Sequence, residues 1–150
     1  MKLNSLKIKD AKRELSAYDF EIHKKDKVLL GDKKYIYINS ELKFFKYKDK
    51  FIPSLKLLLE NSSLLKKITI DMGAIKFLIK GADIMRPGIT QIDEDIKKGD
   101  VVVAIDETNK KSILVGEALF DAAEMQSMSS GKSVINIHYI GDEMWKLPNI

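Results

Sequence analysis

The chain has 150 residues, 45% of them apolar and 32% charged, a composition that suits a folded globular protein with a sizeable core and excludes a disordered or fibrous one. It contains no cysteine and two histidines, so disulfides, thiol chemistry and a closed Cys/His zinc site are excluded. The net charge of +4 is unevenly spread: residues 1–65 carry 15 Lys+Arg against 9 Asp+Glu, or +6, whereas residues 66–150 carry 11 against 13, or −2.

A basic half accumulates on polyanions by releasing their counterions, and a phosphate-rich surface such as ribosomal RNA or tRNA suits it. A solvated lysine-rich surface that binds nothing specific is the bland alternative. Lysine outnumbers arginine 24 to 2, a bias found in proteins from hot environments. The longest aliphatic run, residues 101–105, is far shorter than the roughly 20 residues a bilayer requires. Residues 1–10 carry charges where a signal peptide is apolar. A cytoplasmic location is expected.

In chain order, residues 6–20 place Leu6, Ile8, Ala11, Leu15, Tyr18 and Phe20 on one face of an expected helix, with Lys9, Lys12, Arg13 and Glu14 opposite. Residues 27–30, 34–38 and 41–47 read as strands separated by Gly31-Asp32 and Asn39-Ser40 turns, and their aromatics fall on both faces. Pro53 suits the first turn of a helix that packs Leu55, Leu58 and Leu59 inward and ends at Asn61-Ser62-Ser63. That polar break is the best linker, so a first domain at 1–65 and a second at 66–150 are expected.

In the second domain, residues 68–70 form a strand and Asp71 can cap a helix over 73–80 that Gly81 ends in a left-handed conformation. Residues 84–89 contain a Pro87-Gly88 turn. Strands at 100–105, 112–119 and 134–140 and a helix at 121–128 complete the set. Four or five short strands with two small helices suit a closed or nearly closed barrel. On the 73–80 helix, Ala74, Ile75, Leu78 and Ile79 share one face, whereas Lys76 and Lys80 stand four apart on the other beside Phe77. Phe77 is expected to pack against the N-terminal domain; the alternative is a base-stacking platform beside phosphate-binding ammonium groups.

The stretch DMGAIKFLIKGADIMRPGI at 71–89 resembles the opening of the PUA domain, named for pseudouridine synthases and archaeosine transglycosylases. GDVVV at 99–103, VGEA at 115–118 and GKSVINIHY at 131–139 fall where that domain has its remaining strands. LKFF at 42–45, PSLKLL at 53–58 and the closing IHYIGDEMW at 137–145 are similar to the MCT-type translation proteins, partners of the density-regulated protein, and to their archaeal relatives.

The resemblance implies an α+β first domain followed by a PUA-type mixed β pseudo-barrel. It also implies a protein that sits on the small ribosomal subunit, holds the 3′ CCA end of a tRNA, and acts in initiation, reinitiation or recycling. PUA domains hold RNA with the helix–glycine–strand segment and the last strand. That role therefore falls on Lys76, Lys80, Gly81, Ala82, Arg86, Pro87, Gly88 and Lys132. No cofactor and no catalysis are expected. Because the barrel half is slightly acidic, the first domain is expected to supply much of the nonspecific RNA affinity.

Other motifs carry less. Gly131-Lys132-Ser133 ends like a nucleotide-binding loop, but Gln126 stands where that loop needs glycine. Asp93, Glu94 and Asp95 read as a solvated turn rather than a metal clasp, His138 as structural, and Trp145 as a plug for the barrel. Two other functions are open: an RNA-binding accessory to tRNA or rRNA modification, and an adaptor whose aromatics Phe44, Phe45 or Phe51 meet a protein.

Overall fold

A computed structural model describes all 150 residues, Met1–Ile150. The chain divides into two compact units, one of Met1–Leu64 with Leu147–Ile150 and one of Leu65–Lys146. No helix is long and apolar enough to cross a membrane.

The first unit is an antiparallel meander of β1 (Leu3–Ser5), β2 (Val28–Gly31), β3 (Tyr35–Ile38), β4 (Glu41–Tyr47) and β5 (Lys50–Pro53), in that spatial order. Three two-residue turns, Asp32-Lys33, Asn39-Ser40 and Lys48-Asp49, have positive φ at both central positions. That is the type I′ geometry whose twist matches the flanking strands and fixes their register.

Helix α1 (Ile8–Glu14) is shorter than the periodicity predicts, because residues 15–20 leave the helix in successive turns while still burying Leu15. Pro53 ends β5 instead of opening a helix. Ser54 takes the cap of α2 (Leu55–Glu60), accepting the Leu57 N–H at its Oγ and donating from that hydroxyl to the Leu42 carbonyl. Phe44, Phe45 and Phe51 are all buried. Phe44 and Phe51 join the core around Ile36 and Ile38, and Phe45 pairs with Ile52 in the register of β4 and β5. The adaptor reading therefore loses the exposed aromatics on which it rested.

The second unit is a six-stranded mixed sheet. Its strands are β6 (Lys66–Ile70), β7 (Ile84–Met85), β8 (Ile89–Ile92), β9 (Val101–Asp106), β10 (Ser112–Ala118) and β11 (Lys132–Tyr139), in the order β7-β11-β10-β9-β6-β8. Only β6 and β9 are parallel. The edge strands β7 and β8 are joined by a single 3₁₀ turn, Arg86–Gly88. Four peptide links reach at most about 15 Å, whereas the edges of a flat six-stranded sheet lie about 24 Å apart. The sheet must therefore curl on itself, and Ile68, Ile70, Val102, Leu114 and Val134 fill the interior.

Two short helices complete this unit, α3 (Ile75–Leu78) and α4 (Ala122–Ser127). Ile79, expected on the buried face, is exposed because it follows the single turn of α3. Trp145 is half-buried and lies outside the barrel core, in a turn that Asp142 organises by accepting the Trp145 N–H. It is not the plug that the sequence suggested.

Candidate nucleic-acid interface

The segment between β6 and β8 builds a groove on the second unit. Asp71 turns the chain out of β6 by accepting the Ala74 N–H at 3.0 Å, which starts the one-turn helix α3. Leu78 anchors that helix in the core, while Phe77, one residue earlier, is 56% exposed. Gly81 then reverses the chain at φ +99°, a conformation that L side chains rarely adopt. Its backbone lies against Tyr139, whose hydroxyl a Cβ would meet at 3.4 Å and whose ring at 3.5 Å.

Asn136 of β11 ties this loop down. Its Nδ2 donates to the Leu78 carbonyl at 3.1 Å and the Ala82 carbonyl at 2.9 Å, and its backbone N–H donates to Asp83 at 2.7 Å. The other oxygen of Asp83 pairs with Lys132 Nζ at 2.9 Å. Burial works against the charged form of Asp83, but the Asn136 N–H and the Lys132 ammonium outweigh it and hold the carboxyl below its ordinary value.

The resulting groove has a volume of about 450 Å³, and Phe77, Ala82, Met85, Pro87 and Gly88 supply much of its apolar wall. Asp71 and Asp83 are its charged lining residues, and each is engaged in the hydrogen bonds just described. Two cations meet its lining residues, Lys76 with its ammonium 5.2 Å from the Phe77 ring centre and Lys132 at Asp83, while Lys80 is exposed at the end of the helical segment.

The eight residues expected to hold RNA do not share one surface. Ala82, Pro87 and Gly88 line the groove, Gly81 shapes its loop, Lys76 and Lys132 meet the lining residues Phe77 and Asp83, and Lys80 is exposed beside Gly81. Arg86 does not join them. Its Nε donates to the Met125 carbonyl at 2.6 Å and its Nη1 to the Ile89 carbonyl at 3.0 Å, so the guanidinium fastens α4 to the start of β8. It lines a different cavity of about 460 Å³, together with Lys67, Thr90 and Gln126. Phe77 also differs from expectation: it stands open on the groove rather than packed away.

Sequence reasoning missed Asn136, Asp83, Met85 and Tyr139. A polar asparagine in the middle of an apolar strand was the one available signal. His138 is buried and bonded through Nδ1 to Asp142 at 2.8 Å, a structural contact within the β11 turn. Asp93 accepts the Lys67 N–H at 2.7 Å, which makes it a turn former. Gly131-Lys132-Ser133 leads into β11 and its Gly131 carbonyl accepts the Arg86 N–H, so it is a strand entry, not a loop that opens a helix.

Residues 66–140 match the PUA domain family, and residues 5–61 match a family described as a domain of unknown function (DUF1947). An uncharacterized protein of Methanocaldococcus jannaschii is 43% identical over 95% of this chain and 93% of its own length. Translation machinery-associated protein 20 of Saccharomyces cerevisiae is 35% identical over 72% of this chain, and the match spans 63% of the yeast protein. Among solved structures, a conserved PUA domain protein from Thermoplasma acidophilum superposes with a TM-score of 0.81 at 30% identity, covering 95% of this chain and 97% of that one. Two matched regions in series, and relatives that run through both, show that the chain belongs to the PUA domain family as a protein of the MCT translation type.

Proposed function

We propose that this chain, an RNA-binding protein of translation, holds the single-stranded 3′ CCA end of a tRNA in the groove formed by α3, the Gly81 loop and the Arg86–Gly88 turn. On this reading it contacts the small ribosomal subunit during initiation, reinitiation or recycling, with a density-regulated-type protein as its partner. The observation that carries the reading is Phe77, a largely exposed aromatic on an otherwise apolar groove with lysines around it. Unstacked bases take such a ring as a platform, each contact contributing about 1–3 kcal/mol, while ammonium groups meet the backbone phosphates.

On this reading the groove binds RNA without chemistry, its carboxylates Asp71 and Asp83 serving as a turn cap and as the partner of Lys132. Arg86 is left out of the site, since its donors serve backbone carbonyls. The test is fluorescence anisotropy with a labelled single-stranded RNA ending in CCA, against the same RNA with the three terminal nucleotides removed. The full-length end should bind at least tenfold more tightly, and Phe77→Ala should abolish most of that preference. Equal affinity for the two RNAs would refute the assignment.

A further inference from the structure

The first unit presents a second charged feature, at the end of its sheet away from the Asn39-Ser40 turn. In a meander the β2–β3 and β4–β5 turns lie at the same end, and here they bring together Lys33 and Lys34 with Lys46, Lys48 and Lys50. All five are exposed. Asp32 and Asp49 are the acids in these turns, so five charges against two leave +3 on two adjoining hairpin tips.

The arrangement has a cost. Tyr35 pairs with Phe45, which sets Lys34 directly opposite Lys46, and the Lys46 N–H donates to the Lys34 carbonyl at 2.7 Å. Like charges facing each other across strands destabilise a sheet. Lys43, on the same strand, does have carboxylate partners: it meets Glu41 at 2.8 Å and Glu60 at 3.5 Å. Lys33, Lys34, Lys46 and Lys50 have no such carboxylate partner.

The aromatics at this end differ from Phe77. Tyr35 and Tyr47 are half-buried and Phe51 is buried, and lysine ammonium groups lie 5.2, 5.5 and 5.7 Å from the three ring centres. It is their burial, not the ammonium groups, that sets them apart, because Lys76 lies equally near the exposed Phe77 ring; rings sunk this far offer unstacked bases no open face. What remains is a row of cations running from the start of β3 across β4 to β5, about 10 Å at ordinary strand spacing.

We infer that this hairpin end is a second RNA-binding surface, which takes the phosphodiester backbone of duplex RNA by charge and shape without reading bases. It gives the DUF1947 region a role independent of the groove. The occupant is duplex RNA rather than single strands because the rings at this end are too buried to hold splayed bases.

The test uses the full-length protein and a blunt RNA duplex with no 3′ overhang, so that the groove is not engaged. Lys34→Glu places a carboxylate opposite Lys46. It should raise the melting temperature by relieving the repulsion and weaken duplex binding about tenfold at low salt. The double variant K34E/K46E should lower the slope of log affinity against log salt by about two. Lys97→Glu, an equal charge change on the exposed surface of the second unit, should leave binding within about twofold. Phe77→Ala should leave it unchanged, which separates this surface from the groove. Wild-type duplex affinity and salt slope in K34E/K46E, or an equal loss in Lys97→Glu, would overturn the inference. So would binding to vesicles of anionic phospholipid as tight as to the duplex.

Discussion

Gly116 gives the sharpest prediction from geometry alone. It lies in β10 at a register shift against β11, and a Cβ built there would sit 2.4 Å from Val134 Cγ1 and 2.6 Å from the Ile135 carbonyl oxygen. Ordinary carbon contacts are about 3.5–4.0 Å, so Gly116→Ala requires β11 to move by about 1 Å. The valine methyl can turn aside, but the carbonyl is backbone and cannot. Overpacking of this kind costs about 1–3 kcal/mol, and the stiffer unfolded chain returns about 0.4–1 kcal/mol through no contact of its own. The net expectation is a loss of about 1–2 kcal/mol in urea unfolding followed by circular dichroism. Because β11 also carries Asn136 and Lys132, affinity for a CCA-ending RNA should fall with it. A loss below about 0.5 kcal/mol would show that the strand yields freely, and the steric reasoning would be wrong.

Phe77→Ala should change stability by no more than about 0.5 kcal/mol, since the ring is more than half exposed, yet remove about 1–3 kcal/mol of binding to a CCA-ending RNA by anisotropy. Arg86→Ala should do the reverse. Losing two charge-assisted bonds to carbonyls is expected to destabilise by about 2 kcal/mol in thermal unfolding, with little direct effect on RNA affinity measured well below the transition. Asp83 has a folded value held below its unfolded one. Its contribution is therefore full above about pH 4 and lost as pH falls through the folded value, and the stability gap between wild type and Asp83→Asn should be constant from about pH 5 to 7 and close below about pH 4.

Much of the architecture was legible in the sequence because local signals and burial agree there. Strand β4 was predicted at its observed limits, and Gly81 adopts the positive φ its helix stop requires. The misses have physical causes. Leu3–Ser5 is too short and too exposed to carry a pattern, and becomes a strand only through its pairing with β2. The stretch Lys50–Pro53 hides a strand because proline reads as a helix opener, whereas at an edge strand its missing N–H does no harm. The apolar spacing over 6–20 mimics a helix whose second half is a series of turns.

Of the candidate site, the backbone path was readable and side-chain direction was not. Arg86 looked like a phosphate ligand because arginine beside Pro-Gly suits one. Its partners are a neighbouring carbonyl and another 39 residues away, and no linear pattern encodes the second. Phe77 was misjudged for the opposite reason: aromatics are usually buried, but this one stands on the lysine side of α3, away from the face that Leu78 buries.

The return of residues 147–150 to the first unit, where the Ile150 N–H donates to the Ser40 carbonyl, has a practical consequence. The second unit is in effect an insertion into the first, so a single cut near residue 65 cannot separate them intact. A fragment ending there lacks the segment that bonds to the β3–β4 turn, and the other fragment carries that segment as an orphan tail. Dissection should instead excise 65–146 and splice residue 64 to residue 147 through a short flexible bridge.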